Sequence, residues 1–335
     1  MNQSAIPVLD PTLFVEQFVT PEAHEQARQL RSTNNPQTSP TNFFTLMRIE
    51  DFARHITFPI PTSRSFHYDF MFLTAGFVQR TYGLDSYTIG RDAEPSAFRG
   101  RDRSGMPDHG GPASPAMFSV YRAGDIISTD ACSADAAGFY GLFDADYVLA
   151  MLKKPRALDE LNFLQLDASP VLATDADTTQ DWLAQLVKME RALTSQRPDS
   201  QAYVGSLLYA FLLDVQQQYG QRVVARSLSS SAQFTARFRL LLTQHILSKR
   251  TVHDYADLLS VTPNHLNKCV KETTGKPASV LIANMLLLEA KVLLGQPGLT
   301  ISEIAFRLSF DDLSYFARFF KKHTGLNPTD YRQQT

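Results

Sequence analysis

The chain has 335 residues, 44% of them apolar and 20% charged, which excludes a disordered or fibrous protein and predicts two domains. The longest oily runs, Leu207–Leu213 and Met285–Leu288, are far shorter than the ~20 residues of a membrane span, and Cys132 and Cys269 are too few for a disulfide framework or a cysteine-based zinc site. Net charge is −2 but unevenly divided: residues 235–335 carry 13 Lys and Arg against 8 Asp and Glu, a net +5, and the rest carries 19 against 26, a net −7, so a basic module facing a polyanion is expected beside an acidic body.

Residues 1–40, rich in Pro, Gln, Thr and Asn, read as an N-terminal arm with a short helix around Glu22–Leu30. Met1–Pro7 has neither a basic start nor an apolar stretch, so no secretory signal is expected and the location is expected to be cytoplasmic. From residue 41 the pattern turns to strands. Phe66–Leu73, Phe77–Tyr82, Tyr87–Ile89, Met117–Tyr121, Asp125–Ser128 and Gly138–Phe143 are short, aromatic or β-branched, and separated by Gly, Asp or Ser. Such a series, with no helical period between, predicts an antiparallel barrel or sandwich. Arg91–Ala116 interrupts it with four Gly, four Pro and eight charged residues, a long loop that cannot bury a core.

After Asp144 the period becomes helical. Trp182, Leu183, Leu186, Val187 and Leu193 form one apolar stripe, and Leu207, Leu208, Phe211, Leu212 and Val215 a second that ends near Tyr219-Gly220. These helices, within 145–225, either cover the barrel or pair two subunits; their apolar excess predicts a homodimer. The polar tract Arg226–Ala232 marks a linker at 226–234. The strand aromatics Tyr68, Phe70, Phe72, Tyr82, Tyr121 and Tyr140 either line an effector pocket or build core. His67 stands alone on its strand and His109 lies in the loop, so no metal or other cofactor and no catalytic residue is expected. A metal-dependent enzyme with a helical tail is the alternative from another class.

The last hundred residues are duplicated. Thr251-Val-His-Asp254-Tyr-Ala256-Asp-Leu-Leu259 recurs as Thr300-Ile-Ser-Glu303-Ile-Ala305-Phe-Arg-Leu308, each opening as a capping box. Leu266-Asn-Lys268-Cys-Val270-Lys271 with Gly275 recurs as Phe316-Ala-Arg318-Phe-Phe320-Lys321 with Gly325, which predicts two helix-turn-helix units in residues 235–335. Leu266 and Val270, like Phe316 and Phe320, sit i, i+4 and point inward. That leaves Asn264, Asn267, Lys268 and Lys271 outward on one unit, and Ser314, Ala317, Arg318 and Lys321 on the other. Outward amides and cations of this kind read base edges and phosphates in a major groove. Between the units Ala278–Leu294 is one unbroken helical pattern.

Glu303–Phe310, the run Ser314-Tyr-Phe-Ala-Arg-Phe-Phe-Lys-Lys-His-Thr-Gly-Leu-Asn-Pro328 through Arg332, Thr262–Lys268 and Leu288–Leu294 together resemble the C-terminal signature of the AraC/XylS family of bacterial transcription regulators. Met285 stands where that family usually has Arg, and Ser309 where it usually has Gly. The resemblance implies a sequence-specific DNA-binding regulator whose partners are double-stranded DNA and RNA polymerase. It places base contacts at Asn264, Asn267 and Lys268 in the first reader helix, and at Leu313, Ser314, Ala317 and Arg318 in the second. Residues 41–225 resemble the family's cupin-like effector-binding and dimerisation domains through strand order and the turn Tyr121-Arg-Ala-Gly124-Asp125. The expected fold is therefore α+β: a cupin-like antiparallel β-barrel with a helical dimerisation segment, then an all-α domain. A small-molecule effector is implied; a domain that only dimerises or binds a protein is the alternative.

Overall fold

The computed structural model describes residues 44–65, 67–90, 115–152, 158, 160–164, 170–195, 199–224, 230–296 and 298–334. The expected arm at 1–40 and the expected loop at 91–116, up to residue 114, lie outside them.

Two antiparallel sheets face each other in the N-terminal domain. One has the order β1 (Phe44–Arg48), β8 (Ala137–Phe143), β3 (Tyr68–Ala75), β6 (Met117–Tyr121), β9 (Val171–Ala173); the other runs β2 (Ile60–Arg64), β7 (Ile126–Cys132), β4 (Phe77–Tyr82), β5 (Asp85–Gly90). Side-chain alternation sends Phe70, Phe72, Phe118, Phe139 and Phe143 to the outer face of the first sheet, and Met71 and Leu73 to the space between sheets, against Val78 and Ile89. Phe70 lies opposite Gly141, where any Cβ would come within 2.3 Å of its ring, so this position takes glycine for close approach.

The outer face is covered by α1 (Ala145–Leu152), α2 (Ala176–Leu193) and α3 (Ser200–Val224). Trp182 packs edge-on against Phe72, Phe118 and Phe211 at 5.4–5.6 Å. Asp175 caps α2 by accepting from the Thr178 N–H, and Arg48 grips Glu190 of α2 through two 2.7 Å bonds. Trp182, Leu186, Leu208, Phe211, Leu212 and Val215, read as exceeding the barrel's need for cover, are thus buried on the sheet itself. Their apolar excess is no argument for a second subunit.

Several boundaries differ from expectation for identifiable reasons. β2 contains Pro61, which a central strand would not tolerate, and β2 is an edge strand. Gly220 does not stop α3, which runs to Val224; an interior glycine costs a helix only about 1 kcal/mol relative to alanine. Much of the expected linker is helix as well: α4 (Ser230–His245) begins inside it and buries Phe238 and Leu242, four residues apart.

The C-terminal domain continues with α5 (Val252–Leu258), α6 (Pro263–Thr274), α7 (Ala278–Leu294), α8 (Ile301–Arg307), α9 (Leu313–Thr324) and α10 (Pro328–Gln334). Phe238, Leu266, Val270, Leu286, Leu293, Phe316 and Phe320 share one apolar core. No single described helix is long and apolar enough to cross a membrane.

Candidate nucleic-acid interface

The two repeats fold alike because their local signals are alike. Thr251 with Asp254 and Thr300 with Glu303 both close reciprocal capping boxes at α5 and α8. Backbone and side-chain hydrogen bonds from the two threonines hold both carboxyls below their ordinary pKa, so each stays ionised at neutral pH. Thr262 caps α6, with Pro263 in its first turn, and Asp312 caps α9. Both second helices end on left-handed glycines, Gly275 at φ 73° and Gly325 at φ 81°.

The tight turns inside the units use serine where glycine would be easier. Ser260 and Ser309 have φ of 56° and 55°, a conformation that costs a non-glycine residue about 1 kcal/mol or more. Ser309 offsets part of this by donating its hydroxyl to the Leu247 carbonyl at 2.6 Å. Beside it, the Arg250 guanidinium lies 4.3 Å above the Phe310 ring. These two contacts tie the entry to the first unit to the turn of the second, so the readers are braced against each other.

Asn264, Lys268 and Lys271 of α6 are exposed, as are Leu313, Ser314, Arg318 and Lys321 of α9; Ala317 is half-buried. Asn267 differs from the reading given to it. Its amide oxygen accepts the Ala278 N–H at 3.1 Å and so caps α7, whose N-cap position, Pro277, has no side chain able to do so. The sequence also hid Tyr315, which is 56% exposed in the first turn of α9 and rests on Phe310. Its place one residue past Ser314 was the available signal, but an aromatic in an amphipathic helix is more often core.

The six barrel aromatics do not share one cavity. Tyr68, Phe70 and Phe72 face the covering helices. Tyr82, Tyr121 and Tyr140 belong to a polar group between the sheets: Arg80 lies 4.4 Å over Tyr121 and 5.9 Å from Tyr140, and Tyr82 meets Tyr121 at 5.3 Å. Burial pushes the Tyr121 phenol up to about 12, so it is neutral at physiological pH. His67 faces the Asp144 carboxylate through Nδ1.

Residues 255–334 match the helix-turn-helix domain family. Over 88 residues the chain is 33% identical to the uncharacterized HTH-type transcriptional regulator YobQ of Bacillus subtilis, covering 26% of this chain and 36% of that protein. Over 69 residues it is 36% identical to the HTH-type transcriptional activator RhaR of Cronobacter sakazakii, covering 21% and 24%. The chain thus spans about a third and a quarter of the length of these relatives. Among solved structures, ToxT of Vibrio cholerae bound to an unsaturated fatty acid aligns with 89% of this chain and 97% of its own at 14% identity and a TM-score of 0.40. With the matched residues falling on two capped, cross-braced repeats, residues 255–334 of this chain form a helix-turn-helix domain similar to those of HTH-type transcriptional regulators.

Proposed function

We propose that this protein is a sequence-specific DNA-binding regulator of transcription, in which α6 and α9 of one subunit enter successive major grooves. The observation that carries it is the duplication itself: Lys268 and Lys271 on one reader, Arg318 and Lys321 on the other, are exposed on helices capped and terminated the same way. The 17 residues of α7 between them make a spacer of roughly 25 Å at about 1.5 Å per residue. Added turns bring this toward the ~34 Å between grooves on one face of the duplex. Two subunits would then read two such pairs of sites, next to RNA polymerase, as the family resemblance implies. The full chain is expected to protect two short base clusters about one helical turn apart per subunit, and to lose affinity steeply with salt as phosphate contacts release counterions. Mobility shift and footprinting over a salt series check this; no binding to duplex DNA at low salt would refute the reading.

The N-terminal domain is proposed to bind a small polar effector between its sheets. Tyr121, Ser119 and Arg80 are all buried there; the Tyr121 and Ser119 hydroxyls face each other, Arg80 Nε has no hydrogen-bond partner among the described residues, and buried polar groups are normally satisfied by protein, water or ligand. A compound that raises the melting temperature of the wild-type chain is expected to do so less in Tyr121→Phe, which keeps the ring and removes the hydroxyl. An equal shift in both would exclude this site.

A further inference from the structure

Two contacts join the reading units without passing through α7, and both converge on the turn of the second unit. Ser309 donates its hydroxyl to the Leu247 carbonyl just beyond α4, and the Arg250 guanidinium lies over the Phe310 ring. Each end is fixed in its own unit. The Arg250 N–H donates at 3.1 Å to Asp254 Oδ2, the oxygen that also accepts from Thr251 and closes the cap of α5. The Phe310 ring is buried and packs on Tyr315, Phe316 and Phe319 of α9 at 5.2–5.7 Å. The brace therefore runs from the first turn of α5 to three side chains of the second reader.

The guanidinium is committed to this contact. Its Nε and Nη2 are buried and have no hydrogen-bond partner among the described residues, so the aromatic face takes the place of water beside a desolvated cation. Burial holds Arg250 below its ordinary pKa against the opposing pull of Asp311 and Tyr315, and the guanidinium stays charged at neutral pH.

Neither unit needs this pair in order to fold. The position corresponding to Arg250 in the second unit is Leu299, and the position corresponding to Phe310 in the first is Val261. One unit closes its turn without the aromatic and the other opens without the cation, so the pair is a feature of the junction. Ser309 fits the same reading. Glycine would adopt its φ of 55° without strain, but would have no hydroxyl to reach Leu247.

We propose that Arg250 and Ser309 are positioning residues that fix the distance and twist between α6 and α9, and so make the spacing between the two base clusters a determinant of specificity. The proposal rests on the two-reader reading above. One base pair more or less moves the second cluster by about 3.4 Å along the duplex and about 35° around it. Readers held rigidly lose contacts at the wrong spacing, or must deform the duplex to keep them. Readers joined by α7 alone follow the change by rocking about that helix.

The test measures affinity of the full chain for duplexes built from the sequences it selects out of a random pool, with base pairs added or removed between the two clusters. The wild type is expected to lose about tenfold for a single base pair added or removed, within the range of one mismatched base pair. Arg250→Met and Ser309→Ala are each expected to shrink that loss to about threefold, half of it in free energy, with base preference inside each cluster unchanged. Arg250→Lys keeps a cation over the ring and is expected to retain most of the wild-type dependence. Ser309→Ala, neutral in charge and at an exposed position, carries the test if Arg250→Met does not fold. An Arg250 that touched phosphate would behave differently: its loss would weaken every spacing alike and lower the salt slope by about one unit. That result, an undiminished spacing dependence in the folded variants, or a wild type indifferent to spacing overturns the positioning role alone. Binding of the wild type to none of the duplexes overturns the DNA-binding reading and the positioning role with it.

Discussion

Asp69→Ala is expected to cost the N-terminal domain about 3–5 kcal/mol of stability. Asp69 and Arg80 are 1% and 3% exposed and bonded at 3.0 and 3.3 Å between the sheets. Burial works against both charges, yet the facing carboxylate outweighs it for Arg80 and holds the guanidinium above its ordinary pKa. Removing Asp69 would leave that cation buried against the Tyr121 and Tyr140 rings with no counter-charge. The pair itself contributes far less than its disruption costs, because both ions have given up hydration to be there. Asp69→Leu combined with Arg80→Met is therefore expected to regain most of the loss. Urea unfolding of the two variants separates these cases. A double variant as unstable as the single one would show that lost packing, and not a stranded charge, sets the cost.

Lys268→Ala and Arg318→Ala are expected to relax sequence preference at different places, each by about 1–3 kcal/mol at the bases it contacts. Both side chains are exposed on reader helices, and they belong to different repeats, so their footprints should fall in different base clusters. Arg318 has the planar fork suited to two bonds with one base, whereas Lys268 is a compact charge and is expected to discriminate less. Lys268 also lies only 4.0 Å from Glu272, an exposed pair worth little and readily exchanged for a base or phosphate contact. Lys271→Ala and Lys321→Ala, one turn further along, are expected instead to weaken all sequences alike and to lower the salt slope by about one unit. Selection of bound sequences with each variant provides the measurement. If Lys268→Ala and Arg318→Ala alter the same bases, the two-reader arrangement is wrong.

The sequence by itself determined the two repeated units of the C-terminal domain and the helix between them, but not α4 ahead of them. The reason is that the signals of the repeats are local: Thr251 and Asp254, or Thr300 and Glu303, find each other three residues apart, and Gly275 and Gly325 stop their helices without help from elsewhere. The repeat then doubled each signal. The strands were legible where aromatic alternation was strong, as at Tyr68, Phe70 and Phe72, and missed where an edge strand carried Pro61. Only the tertiary structure decided the rest, because long-range pairing leaves no trace in neighbouring residues. It split the aromatics by placing Tyr68, Phe70 and Phe72 on the outer face of the first sheet, and Tyr121 and Tyr140 of that sheet with Tyr82 of the second between the two sheets. It gave Asn267 to the cap of α7, eleven residues ahead, in place of leaving it fully free for a base. It joined Asp69 to Arg80 across the interior and set Arg64 against Glu289, 225 residues away. A buried charge must find its counter-charge wherever the fold brings one, and in this chain the fold brought Glu289 its partner from the other domain.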